Sequence, residues 1–85
     1  MFLVRWTKLA SNNMIKLWLS GDSDIRKAIT LATHIIDQQL QSDPLNLGES
    51  RPANRRIHFV APLGIIFKVD SAKSVVRVMQ VWQVK

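Results

Sequence analysis

The hydrophobic period of this chain changes from helical to extended near Pro44, and that change limits what it can fold into. Ala10, Met14, Leu17 and Trp18 fall at i, i+4, i+7 and i+8, the spacing of one helix face. Ile25, Ala28, Ile29, Ala32, Ile35, Ile36 and Leu40 form a second apolar stripe at the same period. Past Pro44 the period falls to two. Leu63, Ile65, Phe67 and Val69 alternate with Gly64, Ile66, Lys68 and Asp70, which places the two sets on opposite faces of a strand. Such a chain packs a helical layer on a sheet and buries one face of each against the other. The set beginning at Leu63 is expected to meet the helices.

The boundaries follow from punctuating residues. Phe2–Thr7, rich in β-branched and aromatic side chains, reads as a first strand. The first helix runs from Leu9 to Leu19 and ends at Ser20-Gly21, where glycine accepts the left-handed conformation of a helix cap. Asp22 is placed to cap the second helix, and Asp24 adds negative charge where the helix dipole favours it. Pro44 disfavours helical geometry at Asp43, so this helix stops near Ser42. Residues 43–54, DPLNLGESRPAN, read as the one long loop, with Gly48 supplying a turn. Arg56–Ala61, Leu63–Asp70 and Val75–Val84 follow as three strands with short connections, an antiparallel meander. The expected fold is a single α+β domain over residues 1–85 in the order β-α-α-β-β-β. It has an antiparallel sheet of about four strands, with the helical hairpin packed on one face.

Composition excludes several chemistries. The chain has no cysteine, so neither a disulfide nor a thiolate metal site can brace it, and its two histidines, His34 and His58, make no zinc site. No metal and no cofactor is expected. The opening MFLVRWTKLASNN has no apolar run long enough for a secretory leader, and no segment is long and apolar enough to span a membrane. A cytoplasmic protein is expected. The charge is unevenly placed. Residues 1–50 balance five basic side chains against five acidic ones, whereas residues 51–85 hold seven basic side chains and Asp70 alone, so the net charge of +6 lies wholly in the C-terminal part. A polyanion or an acidic protein is the partner such asymmetry suits; a basic, solvated sheet edge is the plainer reading.

Three stretches, taken in order, resemble the RelE/ParE superfamily of bacterial toxins. They are Val4-Arg5-Trp6-Thr7 ahead of the helical hairpin; Ile36-Asp37 with Asp43-Pro44 and Gly48-Glu49-Ser50-Arg51; and Arg55-Arg56-Ile57 through Phe67-Lys68-Val69-Asp70 to Val78-Met79-Gln80-Val81-Trp82. The resemblance covers nearly the whole chain. It implies the toxin of a type II toxin–antitoxin pair. RelE-type members bind the ribosome and cut mRNA, ParE-type members poison DNA gyrase, and fold alone does not choose between them.

Cutting RNA through its own 2′-hydroxyl requires a group that takes the proton, charge that stabilises the scissile phosphate, and help for the leaving 5′-oxygen. The resemblance implies that Lys and Arg of the meander meet these needs. If Ile57 and Phe59 face the helices, Arg56 and His58 share the outer face with Lys68, and these three are the expected catalytic set. Arg51, Arg55, Arg77, Trp82 and Lys85 are the expected nucleic-acid contacts; arginine suits phosphate through its planar fork, and tryptophan can stack on a base. Trp82 also has a structural reading, as an apolar residue closing the sheet. Trp6 and Trp18 are expected in the core, and His34, beside the apolar stripe of the second helix, is expected to be packed or half-exposed. Against nuclease chemistry, Leu63-Gly64-Ile65 opens a strand where the nuclease pattern places an arginine, and Trp82-Gln83-Val84-Lys85 brings no tyrosine.

Three functions remain open on the sequence. They are a ribosome-dependent mRNA endonuclease, a gyrase inhibitor without nuclease activity, and a degenerate, non-toxic antitoxin-binding module. The implied partners are a cognate antitoxin with either the ribosome and mRNA or gyrase, in a homodimer or a toxin–antitoxin hetero-oligomer.

Overall fold

The computed structural model describes residues 1–84. Its elements are β1 (Leu3–Trp6), α1 (Lys8–Ser20), α2 (Ser23–Ser42), a 3-10 turn at Pro44–Asn46, β2 (Glu49–Arg51), β3 (Arg55–Val60), β4 (Leu63–Asp70) and β5 (Val75–Gln83). The strands form one sheet in the order β1-β5-β4-β3-β2. The α+β order is as expected, but the sheet has five strands and is mixed. Residues 49–51, read from the sequence as loop, pair antiparallel with β3, and β1 runs parallel to β5. A parallel pair needs a long crossover connection; here the whole of α1 to β4 supplies it.

Local chemistry sets the helix ends. Thr7 caps α1 by accepting from the Ala10 amide at 3.1 Å, and Asp22 caps α2 by accepting from the Ile25 amide at 2.9 Å. The expectation at Gly21 fails. Its φ is −86°, outside the left-handed region. Glycine is needed there for room, because a Cβ would lie 2.7 Å from Ile25 Cγ2. The α2 stripe meets the sheet through Ile29, Ala32, Ile36 and Leu40, which pack with Ala10, Leu63, Ile65, Phe67, Val76, Val78 and Val81 into one core. Trp6 is half-buried and its indole N–H donates to Asp37 on α2 at 3.2 Å. Trp18 is not a core residue. It is 42% exposed on the hairpin, beneath the Arg26 guanidinium at 4.4 Å. His34 is exposed.

β5 carries a bulge. Ile66 stands opposite Gln80 but Phe67 opposite Val78, leaving Met79 unpaired. The extra residue resets the alternation, so Val76, Val78 and Val81 all face the core. The N-terminal part of α1 lies against this strand beyond the end of β1. Thr7 Oγ1 donates to the Met79 carbonyl at 3.3 Å, and Asn13 Oδ1 accepts from the Val81 amide at 3.3 Å. Backbone groups of β5 beyond the end of β1 are thus satisfied by Thr7 and by the helix.

Candidate nucleic-acid interface

Register decides which side chains share a face. Residues directly opposite on neighbouring strands point to the same side of a sheet. His58 stands opposite Ile65 and Arg56 opposite Phe67, and both partners are buried beneath the helices. Arg56 and His58 therefore point to the helix side. Ile57 and Phe59 point outward, opposite to expectation. Lys68 does lie on the outer face, opposite Arg55. The expected set of Arg56, His58 and Lys68 is thereby divided between the two faces of the sheet.

On the helix side Arg56 and His58 hold the fold together. The Arg56 guanidinium donates to the Leu47 carbonyl at 2.8 Å, to Ser50 Oγ at 2.9 Å and to the Gly48 carbonyl at 3.2 Å. Three of its five donors clamp the segment that leads into β2. Gly48 supplies the turn there, with φ +65°. His58 Nε2 lies 3.0 Å from Gln39 Oε1 on α2, so the ring nitrogen is the donor and the bond ties sheet to helix. Burial pushes the His58 imidazole below its ordinary value of 6.5, which keeps it neutral at pH 7.

The outer face collects what the other side lacks. Arg5 stands opposite Arg77, Arg77 opposite Lys68, Lys68 opposite Arg55, and Arg55 opposite Arg51. Five exposed cations thus form one row across all five strands, roughly 19 Å from end to end at about 4.8 Å per strand. Glu49 neutralises only the β2 end, as its carboxylate lies 3.2 Å from Arg51; this is the sole ion pair among the described residues. Asp70 sits on the same face of β4 but accepts from the Lys73 amide at 3.1 Å. Beside the row lies a depression of about 360 Å³ lined by Leu9, Arg55, Ile66, Lys68, Met79 and Gln80. Two residues further along β4, the Trp82 indole covers Gly64, and the Phe59 ring stands against it edge to face, centroids 6.0 Å apart.

Of the expected contacts, Arg51, Arg55 and Arg77 come together with Lys68, and Trp82 shares their face at its other end. Lys85 lies outside the described residues. The sequence reading missed Arg5 and Phe59. Arg5 joins the row only through the parallel β1–β5 pairing, which nothing local encodes. Phe59 carried a signal that was given the wrong sign, an aromatic residue in a strand whose other face also had to be filled. Among the described residues no group of histidines and carboxylates is placed to hold a metal ion, and no helix is long and apolar enough to cross a membrane.

The architecture is shared with known structures. A chain of the toxin–antitoxin complex RelBE2 from Mycobacterium tuberculosis superposes with a TM-score of 0.79 at 18% identity, covering 96% of this chain and 90% of that one. A chain of the chromosomal ParDE system of P. aeruginosa gives 0.78 at 17% identity, covering 100% and 98%. The fold is that of the RelE and ParE toxins. The isolated E. coli RelE toxin follows at 0.62 and 16% identity, covering 100% of this chain and 86% of that one. No protein-family model and no curated protein matches the sequence. At these identities the likeness is one of fold, and both RelE- and ParE-type structures carry it.

Proposed function

We propose that this chain is the toxin of a two-component toxin–antitoxin pair and that it acts on mRNA at the ribosome through the outer face of its sheet. The observation that carries this reading is the row Arg5, Arg77, Lys68, Arg55 and Arg51. Four of its five cations have no carboxylate partner among the described residues, and the row borders a depression to which α1 contributes Leu9. Arg55 and Arg77 flank Lys68 on the two neighbouring strands. A phosphate seated above Lys68 would meet three positive side chains, the arrangement that stabilises charge gathering on a scissile phosphate. Lys68 is the only residue of the three whose side chain can exchange a proton, and it takes the acid–base part if the RNA is cut here. Arg56 and His58, on the other face, hold the fold and take no part in the chemistry in this reading.

A second reading, gyrase inhibition without cleavage, is favoured by one specific observation: the outer face holds no histidine among the described residues, and the sequence has no tyrosine. A cation row can bind without doing chemistry.

The antitoxin is expected on the hairpin as well as the sheet edge. Trp18 and Leu31 stand exposed there beside Arg26 and Lys27 around a hollow of about 540 Å³, a surface suited to an acidic amphipathic segment. Controlled expression in a bacterial host tests the reading. Primer extension on a reporter mRNA should show cuts within translated codons, lost in Lys68→Ala. Growth arrest with intact mRNA and inhibited supercoiling would transfer the chain to the gyrase inhibitors. Harmless expression of folded protein would leave only a binding module.

A further inference from the structure

The two ends of the outer face differ in chemistry. One end is the cation row. At the other, Trp82, Gly64 and Phe59 stand opposite one another on β5, β4 and β3. A Cβ on Gly64 would lie 2.6–2.8 Å from three indole atoms of Trp82. The indole thus lies down on the bare backbone of β4, a seat only glycine provides. Phe59 is 54% exposed and stands at 85° to the indole, forming a wall beside a floor. The corner is open. An aromatic floor with a wall fits a flat ring.

We infer that this corner binds one unpaired nucleobase of a single-stranded nucleic acid whose phosphates lie along Arg55, Lys68 and Arg77. The inference rests on reading the face as a nucleic-acid site and adds what is recognised there. The charge comes from the row; the distance comes from β4, whose four-residue step from Lys68 to Gly64 spans roughly 13 Å. Between them the depression over Ile66 and Gln80 gives the chain a path. A duplex cannot use the corner, because its bases are stacked and paired; a flexible single strand can turn one base out onto the indole. Stacking on an aromatic side chain is largely indifferent to base identity, so the corner selects strandedness more than sequence.

The test is fluorescence anisotropy of the full chain with a short labelled single-stranded RNA, the matching duplex, and the same strand with abasic sites, at low salt. Wild type should bind the intact single strand more tightly than the abasic strand. Trp82→Ala should weaken binding of the intact strand about 5- to 150-fold, the range of one aromatic–base stack, without changing affinity for the abasic strand. Trp82→Phe should keep most of the affinity. Gly64→Ala, which unseats the indole, should resemble Trp82→Ala, and Phe59→Ala provides the answer at an exposed position if either of those variants unfolds. Equal binding of intact and abasic strands, or unchanged affinity in folded Trp82→Ala and Phe59→Ala while Lys68→Ala binds weakly, would overturn the corner and leave the cation row standing. Failure of wild type to bind any of the three probes would overturn the nucleic-acid reading and the corner with it.

Discussion

Arg56→Ala should destabilise the protein and leave the chemistry of the outer face intact per folded molecule. The side chain removed makes three charge-assisted hydrogen bonds, at 2.8 Å to the Leu47 carbonyl, 2.9 Å to Ser50 Oγ and 3.2 Å to the Gly48 carbonyl. Only the first is partly buried, so it is assigned about 1.5–2 kcal/mol and the two exposed ones roughly 0.5–1 each, a loss on the order of 3 kcal/mol. For a domain of this size that is a large fraction of a total stability of roughly 4–13 kcal/mol, and it lowers Tm by about 10–20 °C. Thermal unfolding followed by circular dichroism measures it. Arg56→Lys should recover little, because an ammonium cannot reach three acceptors with one planar fork. A Tm within about 2 °C of wild type, combined with lost RNA binding or lost toxicity, would refute the reasoning and return Arg56 to the functional set.

Three further outcomes follow from the same geometry. Lys68→Ala should weaken RNA binding and lower the slope of log affinity against log salt by about 0.7, the share of one phosphate contact on a single strand; titrations at several salt concentrations read it, and an unchanged slope would remove Lys68 from the interface. Gly48→Ala should cost at least ~2 kcal/mol, because φ is +65° and the new Cβ would meet the Ile57 carbonyl oxygen; urea unfolding measures it, and wild-type stability would show that β2 can shift freely. The depressed His58 titration makes the unfolded state the better proton acceptor, so stability is complete above the ordinary value of 6.5 and falls as pH drops below it. His58→Gln should flatten that part of the stability–pH curve, and an equal pH response in the variant would assign the effect to other groups.

Local patterning does not set the orientation of β3. Alternation gives a strand its period but not its phase, and Ile57 and Phe59 are the residues a pattern reader places inside. The phase is set by pairing with β4, where Leu63, Ile65 and Phe67 are committed to the core, so His58 follows Ile65 inward and Phe59 follows Gly64 outward. The polar residues turned inward are satisfied by Gln39 and by the loop carbonyls. Apolar residues displaced to the open face are what a site for a ring-bearing ligand would need, so the exception to patterning falls at the proposed site.

By itself the sequence determined the helices, the cap of the second at Asp22, the stop at Pro44, the span of β4 and its buried face, and the location of the excess charge. These are local: each depends on spacing within one element or on one residue's backbone preference. Only the tertiary structure decided that β1 lies parallel to β5, that residues 49–51 extend the sheet, and that five cations from five strands form one row. Those features are relations of register between segments up to about seventy residues apart. Register is fixed by how the buried sets of all the strands meet one helical layer, and no single segment carries that information.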